Sequence, residues 1–521
     1  MYYVLIVLLT FLQTVLMTVL MGFPFVESGV ASVRLWGNYL AAALIIWSPM
    51  LFTDKRRWTY VVSILLDVWF IGNLMYFRSY GDVLNRWCLL NISNMDGIWS
   101  AVLPFLRWSD LLFVAATVIW VVISEWAQFT VRWSKYLRAG IACLCLVLCC
   151  TPQLLVSHRL EMPLSPFASY YADLSMGRIW YMHTYGAITH LSNETVQLIR
   201  GSEAGATPVQ ADEMSPLGWA PTEPEQPANT VLVLFESLEE QVIGLQVNGE
   251  EVTPTLNRLI ANPHTGHYAL QAQVKEGKSS DAQLIIFTGL LPIYNGATSM
   301  RYAQNAYPSW VRYSQAATKR LFAAYPEYMW NQQMNAQAYG FDSIYAANMS
   351  DRDLFAHTRQ TVLDAPRPFI VTAVTMASHS PFLLYADSSS LSFTDEAYDA
   401  TQRRYLQCVH YTDEVLGTLI ETILEDSVLA ATTRIIVTGD HPILDIDHSV
   451  PFIIYDPFTD PETATRPLYQ MDIYPTLIER MHIPTPWHGV GHAFSDSTSC
   501  GEMEQWYRLS DRLIRTNYFA E

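Results

Sequence analysis

The chain has 521 residues, with 31 Lys+Arg against 49 Asp+Glu for a formal charge of −18; 51% of its residues are hydrophobic and 15% charged. Mean hydropathy is +0.14 and the pI is about 5.1. The apolar excess excludes a disordered chain, and the acidity excludes a nucleic-acid binder, which needs a basic surface.

Charge and hydrophobicity lie in different places. Residues 1–157 hold 10 Lys+Arg and 7 acids, a net +3, and 10 of the 16 Trp; the remaining 364 residues carry −21. This asymmetry predicts a membrane anchor followed by an acidic soluble domain. Five apolar stretches, near 3–23, 37–53, 58–77, 110–126 and 137–156, fit the length of about 20 residues that crosses a bilayer. The first lacks a basic leader and a small-x-small cleavage site, so it reads as a span and not as a cleaved signal. Trp36, Trp58, Trp108, Trp126 and Trp133 lie near the stretch ends, where an interfacial belt is expected. Lys55-Arg56-Arg57 and the group Arg132, Lys135 and Arg138 mark two cytoplasmic loops. The N-terminus is then inside and everything after about residue 157 outside. Asp67 falls within the third stretch, either as a functional intramembrane acid or as a residue buried between helices.

Cys143, Cys145, Cys149 and Cys150 cluster in the fifth stretch and read as packing or acylation sites. Cys88, Cys408 and Cys500 do not make a disulfide framework, a Cys408–Cys500 bridge apart. Residues 158–201, with Tyr170, Tyr171, Trp180, Tyr181 and Tyr185, predict helices lying along the membrane surface. Five prolines within 202–228 predict a linker. The expected organisation is a five-span domain (1–157), juxtamembrane helices and linker (158–228) and an extracytoplasmic domain (229–521).

That last domain reads as α/β. The run at 230–235 is continuous, apolar and rich in β-branched residues, as are 369–375, 434–438 and 450–455. Such runs are typical of strands buried on both faces. The run at 284–287 is short enough to be strand or helix. Helical patterns at 253–261, 308–324, 397–427 and 472–481 alternate with these runs, which argues a doubly wound, mostly parallel sheet. Ligands of such sheets bind beyond the carboxyl ends of the strands. Glu236 stands directly after the first strand. Gly439, Asp440 and His441 follow the strand at 434–438, with Gly439 expected to allow a sharp turn. His379 follows the strand at 369–375. Gly277-Lys278-Ser279-Ser280-Asp281 offers a Ser where a helix start favours negative charge. Two carboxylates and an imidazole suit a single divalent cation, which would turn Ser279 into a nucleophile and stabilise a phosphoryl oxygen. Asp445, Asp447, His448, His488 and His492 read as solvated loop residues.

At these residues the chain resembles the lipoteichoic acid synthase family of the alkaline phosphatase/sulfatase superfamily. FESLEEQVIG, NGEEVTPTLN, GKSSDA, MASHSPF, TGDH, SVPFIIYDP and QMDIYPTLIE follow that family's order, and NLMYFRSYGD resembles its membrane part. The resemblance implies an α-helical membrane domain plus a sulfatase-like outer domain. It implies that Glu236, Ser279, Asp440 and His441 bind one metal, most often Mn²⁺, with Mg²⁺ or Zn²⁺ as alternatives. It implies that His379 contacts the substrate phosphate or the leaving oxygen. Ser279 stands where the family usually has Thr, and both supply a hydroxyl. The family's Trp-Asn-Arg triplet reads Trp330-Asn331-Gln332 here, and its upstream His-Gly reads Ala323-Ala324. Gln cannot pair bidentately with phosphate as Arg can, so transfer chemistry is expected to be retained while recognition of a polyglycerol-phosphate product is altered. Lys278 beside Ser279 reads either as attracting the substrate phosphate or as a solvated side chain.

The implied function is transfer of phosphoglycerol from phosphatidylglycerol to an acceptor hydroxyl on a glycan or glycolipid, through a phospho-Ser intermediate, at a bacterial plasma membrane. The alternatives are a phosphoethanolamine transferase, a phosphodiesterase or sulfatase-type hydrolase, and a non-catalytic glycan-binding or sensor protein. A formylglycine sulfatase needs x-Pro-x-Arg after its nucleophile, and Ser280-Asp281-Ala282-Gln283 departs from that.

Overall fold

The computed structural model of the protein describes residues 2–23, 30–51, 57–80, 83–86, 105–126, 134, 136, 140, 178–200, 208–214, 228–294, 296–323, 336–380, 382, 389–393, 397–443, 448–498 and 501–520. The chain falls into two compact units, Met1–Glu203 and Ala204–Glu521.

The first unit is helical: α1 (Tyr2–Leu20), α2 (Val30–Trp47), α3 (Arg57–Tyr80), α4 (Leu111–Trp126), α5 (Arg178–Tyr185) and α6 (Ala187–Arg200). Among the described residues three helical stretches are long and apolar enough to cross a membrane: Tyr3–Leu20, Arg57–Arg78 and Trp108–Trp126. The second expected span begins earlier, at Val30, and ends in a 3₁₀ turn, Ser48–Leu51. The stretch at 137–156 lies outside the described residues.

The polarity of this unit is that of a membrane protein. Val4, Leu8 and Leu12 on α1, Leu65 and Val68 on α3, and Val118 and Val122 on α4 are exposed. Several polar groups are turned inward and matched, which a medium without water favours. Trp47 Nε1 donates to Thr10 Oγ1 at 2.9 Å and Trp120 Nε1 to Thr59 Oγ1 at 3.0 Å. Asp67 is buried between helices and accepts from Gln13 Nε2 at 2.8 Å. Of the described belt tryptophans, Trp108 and Trp126 are the most open, each 88% exposed. Trp58 instead packs on Trp47, ring centroids 5.9 Å apart; Trp133 lies outside the described residues.

In the segment expected to lie along the membrane surface, the described residues 178–200 form two helices that pack on this bundle. Asn38 Nδ2 donates to Thr184 O and Trp69 Nε1 to Ala187 O, each at 2.9 Å. Both bonds catch the carbonyls flanking the α5–α6 corner. Gly186 turns that corner at φ +86, with Tyr39 and Thr14 close against it.

The second unit holds β1 (Asn229–Phe235), β4 (Thr265–Gln271), β5 (Ala317–Ala323), β6 (Ser343–Ala347), β7 (Phe369–Val374), β8 (Thr433–Gly439), β9 (Ser449–Tyr455) and β10 (Leu468–Tyr469), while β2 (Gln246–Val247) and β3 (Glu250–Glu251) form a separate hairpin. The eight described strands outside the hairpin form one sheet, in the order β10-β4-β9-β8-β1-β7-β5-β6. Strands β8, β1, β7, β5 and β6 are mutually parallel, while β9 runs antiparallel to β8 and β4. β1 shows why the predicted strands read as unbroken apolar runs. Leu232 and Leu234 enter one core; Val231, Val233 and Phe235 enter the other. Both faces are covered, by helices α7 (Pro254–Ile260), α8 (Ser279–Thr288), α9 (Asp351–Asp364), α10 (Ala400–Glu425), α11 (Ser427–Thr432), α12 (Ile473–Arg480) and α13 (Met503–Arg515).

Two expectations are corrected or decided. The run at 284–287 is helical, part of α8, whose residues Asp281–Thr288 are all buried; a helix buried all round carries no polar face to reveal its period. The helix expected at 308–324 is a single turn, Trp310–Tyr313, followed by β5. Ser309 starts the turn by accepting Val311 N, Gln315 adopts φ +55, and Thr318 exchanges two hydrogen bonds with Asp342. The capped turn and the Gln315 conformation end the helix locally, and the Thr318–Asp342 exchange, 24 residues apart, holds the extended strand. Cys408 is buried, with its Sγ 3.7 Å from Phe382 O; the Cys408–Cys500 alternative falls on Cys500, which lies outside the described residues.

Asp413 on α10 caps α7 from a distance, accepting Thr255 N at 2.7 Å and Leu256 N at 3.0 Å. These first-turn N–H groups have no partner inside their own helix. Asp413→Ala is expected to destabilise the second unit by about 1–3 kcal/mol, the cost of orphaning buried donors. Denaturant unfolding of the full chain checks this, with Asp413→Asn expected to lose less because it keeps one acceptor oxygen.

Candidate active site

The register of β1 and β8 brings the site together. Phe235 is the partner of Gly439, so the next residues, Glu236 and Asp440, leave adjacent strand ends side by side. Glu236, Asp440 and His441 are buried, and one ligand-type atom from each lies within 4.8 Å of the others. Gly439 serves here by closeness rather than by a left-handed turn: a Cβ at this position would overlap the carbonyl oxygen of Leu238.

Each group is held from behind. Asp440 Oδ1 accepts Ser237 N at 2.7 Å and its own neighbour His441 N at 2.8 Å. Ser237 Oγ donates to Glu236 Oε1 at 3.0 Å, and Glu236 N donates to Thr375 Oγ1 at 2.9 Å. His441 Nδ1 lies 3.1 Å from Pro442 O. A carbonyl only accepts, so Nδ1 carries a proton, and Nε2 faces Glu236 Oε1 at 3.5 Å and Asp440 Oδ2 at 3.9 Å. Fixing one ring nitrogen on a carbonyl while the other faces inward is the arrangement of a metal-ligating histidine.

Ser279 is the first residue of α8, and its Oγ donates to Glu236 Oε2 at 3.1 Å. The loop before it is tightly folded. Asp281 Oδ2 accepts Lys275 N and Gly277 N, both at 2.9 Å, and a Cβ on Gly277 would strike the Asp281 carboxylate. Lys278 takes φ +46, an uncommon conformation for a residue with a Cβ. His379 is half-buried beyond β7, with Nδ1 2.7 Å from Ser380 O.

The electrostatics fit a cation. Burial pushes the Glu236 carboxyl up, but the hydrogen bond from His441 and the charges of His379 and His441 outweigh it and bring it to about 2. Burial and the Glu236 charge push Asp440 up to about 7. Burial pushes His441 down, while Asp440 and Glu236 raise it to about 9 against the charge of Lys278. Two buried carboxylates, an imidazole nitrogen and a hydroxyl oxygen form a donor set suited to a divalent cation, and buried charge of this kind is stable only when paired or metal-bound.

Of the residues expected from the sequence, Glu236, Ser279, Asp440 and His441 meet here. His379 and Lys278 are close enough for their charges to act on Glu236 and His441. Trp330, Asn331 and Gln332 lie outside the described residues, as do Asp445 and Asp447; His448 is exposed. His488 and His492 sit beside Glu479 at 3.1 Å and Asp496 at 3.2 Å. Supporting residues that sequence reasoning missed include Gln470, whose Nε2 donates to Asp440 O at 2.7 Å, and Glu239, whose Oε1 accepts Ile443 N at 2.7 Å. Both lie inside motifs already noted, but their partners are backbone groups brought close only by folding.

Titrating Mn²⁺ into the purified full chain is expected to raise its Tm, by about 2.7 kcal/mol of added stability at a hundredfold excess over Kd. Glu236→Gln is expected to remove most of that shift. An undiminished shift in the variant contradicts the assignment of this cluster as the metal site.

Comparison with known proteins gives related families for both parts of the chain. Residues 1–193 match the family described as lipoteichoic acid synthase N-terminal domain, and residues 228–483 match the sulfatase family. The chain is 24% identical over 484 residues to the lipoteichoic acid synthase-like protein YvgJ of Bacillus subtilis, covering 83% of this chain and 76% of that one. It is 21% identical over 451 residues to the lipoteichoic acid synthase of Staphylococcus saprophyticus, covering 80% and 68%. The integral membrane lipooligosaccharide phosphoethanolamine transferase A of Neisseria meningitidis shares the fold, with a TM-score of 0.54 at 11% identity over 92% of this chain and 95% of that one. Both halves of the chain thus point the same way, and the protein belongs to the lipoteichoic acid synthase-like phosphotransferases of the alkaline phosphatase/sulfatase superfamily.

Proposed function

We propose that the protein is a metal-dependent membrane phosphotransferase that moves a phosphoglycerol group from phosphatidylglycerol to an acceptor hydroxyl on a glycan or glycolipid. The observation that carries this reading is Ser279. Its hydroxyl opens helix α8 and touches Glu236 Oε2 at 3.1 Å, beside Asp440 and His441. A hydroxyl placed at a helix N-terminus, against ligand-type carboxylates, is set up for attack on a phosphodiester.

Glu236, Ser279, Asp440 and His441 would hold the metal, Mn²⁺ in first place with Mg²⁺ or Zn²⁺ as alternatives. The bound cation would lower the pKa of the Ser279 hydroxyl and neutralise charge on the phosphoryl oxygens. Ser279 Oγ bonds to phosphorus as the bond from phosphorus to the diacylglycerol oxygen breaks. The Ser279 proton, acidified in this way, is given up to solvent, and His379 gives a proton to the departing diacylglycerol. In the second half an acceptor hydroxyl attacks phosphorus, His379 takes its proton, and Ser279 Oγ departs and is reprotonated. Lys278 lies beside the nucleophile and draws the phosphate in. Trp330, Asn331 and Gln332 contribute to the head-group site, with Gln332 offering a neutral donor where Arg would offer charge.

The membrane unit keeps the site near its lipid donor. Five spans, with the N-terminus inside and the second unit extracytoplasmic at a bacterial plasma membrane, are the arrangement this reading requires.

Incubation of the full chain with phosphatidylglycerol is expected to add one phosphoglycerol unit, located on Ser279 by intact-mass and peptide analysis. Ser279→Ala should abolish both adduct and lipid turnover, and turnover retained by that variant overturns the mechanism. Phosphatidylethanolamine and an aryl phosphodiester, assayed in parallel, separate the phosphoglycerol reading from its alternatives.

A further inference from the structure

The loop that carries His379 has an anchor outside the metal cluster. Asp351 is the first residue of α9 and is fully buried. Its Oδ1 accepts Met376 N at 2.9 Å and its Oδ2 accepts Ala377 N at 3.1 Å. The same Oδ2 accepts Thr412 Oγ1, from α10, at 2.7 Å. All three bonds go to one carboxylate, so two consecutive backbone N–H groups just beyond β7 are fixed to α9 and α10. The next residue, Ser378, donates its hydroxyl to the backbone carbonyl of Glu236. A turn bond from His379 N to Met376 O, at 3.0 Å, then sets where the imidazole emerges.

His379 is thus held from two sides. Thr375 N donates to Leu234 O, Thr375 Oγ1 accepts Glu236 N and Ser378 Oγ reaches the Glu236 carbonyl, all at the end of β1. The bidentate grip of Asp351 on the amides of Met376 and Ala377 fixes the turn between these anchors from beneath. We propose that Asp351 is a positioning residue for His379, holding the imidazole at the height where it meets the substrate phosphate and the leaving oxygen. This rests on the role given to His379 above. Asn at 351 keeps one acceptor oxygen but turns an NH₂ group towards a backbone N–H, so one of the two amide bonds is lost and the loop shifts.

The test is a double-mutant cycle on the full chain in mixed micelles containing phosphatidylglycerol, comparing wild type, Asp351→Asn, His379→Ala and the double variant. Asp351→Asn is expected to lower kcat roughly ten- to hundredfold, the scale of a misplaced reacting group. In the His379→Ala background the same change is expected to cost less than about twofold, because the residue it positions is gone. The Tm shift on adding Mn²⁺ should be unchanged in Asp351→Asn. Equal losses in both backgrounds, or full activity of Asp351→Asn, overturn the proposal. If Asp351→Asn folds poorly, Thr412→Val decides: it removes one bond to the same carboxylate and should give a smaller loss that also vanishes without His379. A wild-type chain that ignores phosphatidylglycerol but turns over phosphatidylethanolamine or an aryl phosphodiester overturns the donor assignment alone, and the cycle is then read on that substrate.

Discussion

The parallel pairing of β1 with β8 is the constraint on which the rest depends. Phe235 is locked opposite Gly439, and this register alone decides that Glu236 and Asp440 leave the sheet together. A slip of one residue would turn one carboxylate towards a helix-covered face. The register is secured by burial on both sides, since every residue of both strands is buried. It is also secured by the contact between Gly439 and the Leu238 carbonyl, which admits no side chain. The chemistry is placed by strand pairing first and by side-chain contacts second.

Much of this was legible in the sequence, for physical reasons. β1, β7, β8 and β9 are central strands covered on both faces, so their apolar runs are continuous and easily recognised. Glu236, His379 and the pair Asp440-His441 follow three of those runs closely, and that position in the chain is enough to mark them. Elements whose burial is less uniform were harder to read. β4 mixes polar and apolar residues because it lies towards one side of the sheet, and its burial alternates. β5 follows a capped single turn, and its Thr318–Asp342 exchange is a long-range contact that no local period announces. α8 has the opposite difficulty, because complete burial erased the polar face that identifies a helix.

The supporting shell was the least legible part. Asp351, Glu239 and Gln470 act on backbone groups of residues far away in the chain. Their side chains are ordinary polar residues in sequence, and their meaning lies wholly in which amide or carbonyl the fold brings to them. The same holds in the membrane unit. Asn38 and Trp69 look like isolated polar atoms in apolar helices, yet they match the two carbonyls at the α5–α6 corner. In both units an exposed backbone group has been closed by one distant side chain, at the point where the chain changes direction.

The net charge of −18 describes neither unit, and its sign is instructive. An acidic domain is weakly repelled by an anionic bilayer surface, so charge does not hold a lipid-acting site to its substrate. The apolar outer face of α1, α3 and α4 can do so, because insertion depends on apolar area and not on the sign of the surface. At the site, positive charge for a phosphate is offered by Lys278 and the imidazoles, to which the proposed cation would add. There, burial makes each charge count for more than it would in water. Separating the two tasks lets the catalytic surface remain acidic while its centre attracts an anion.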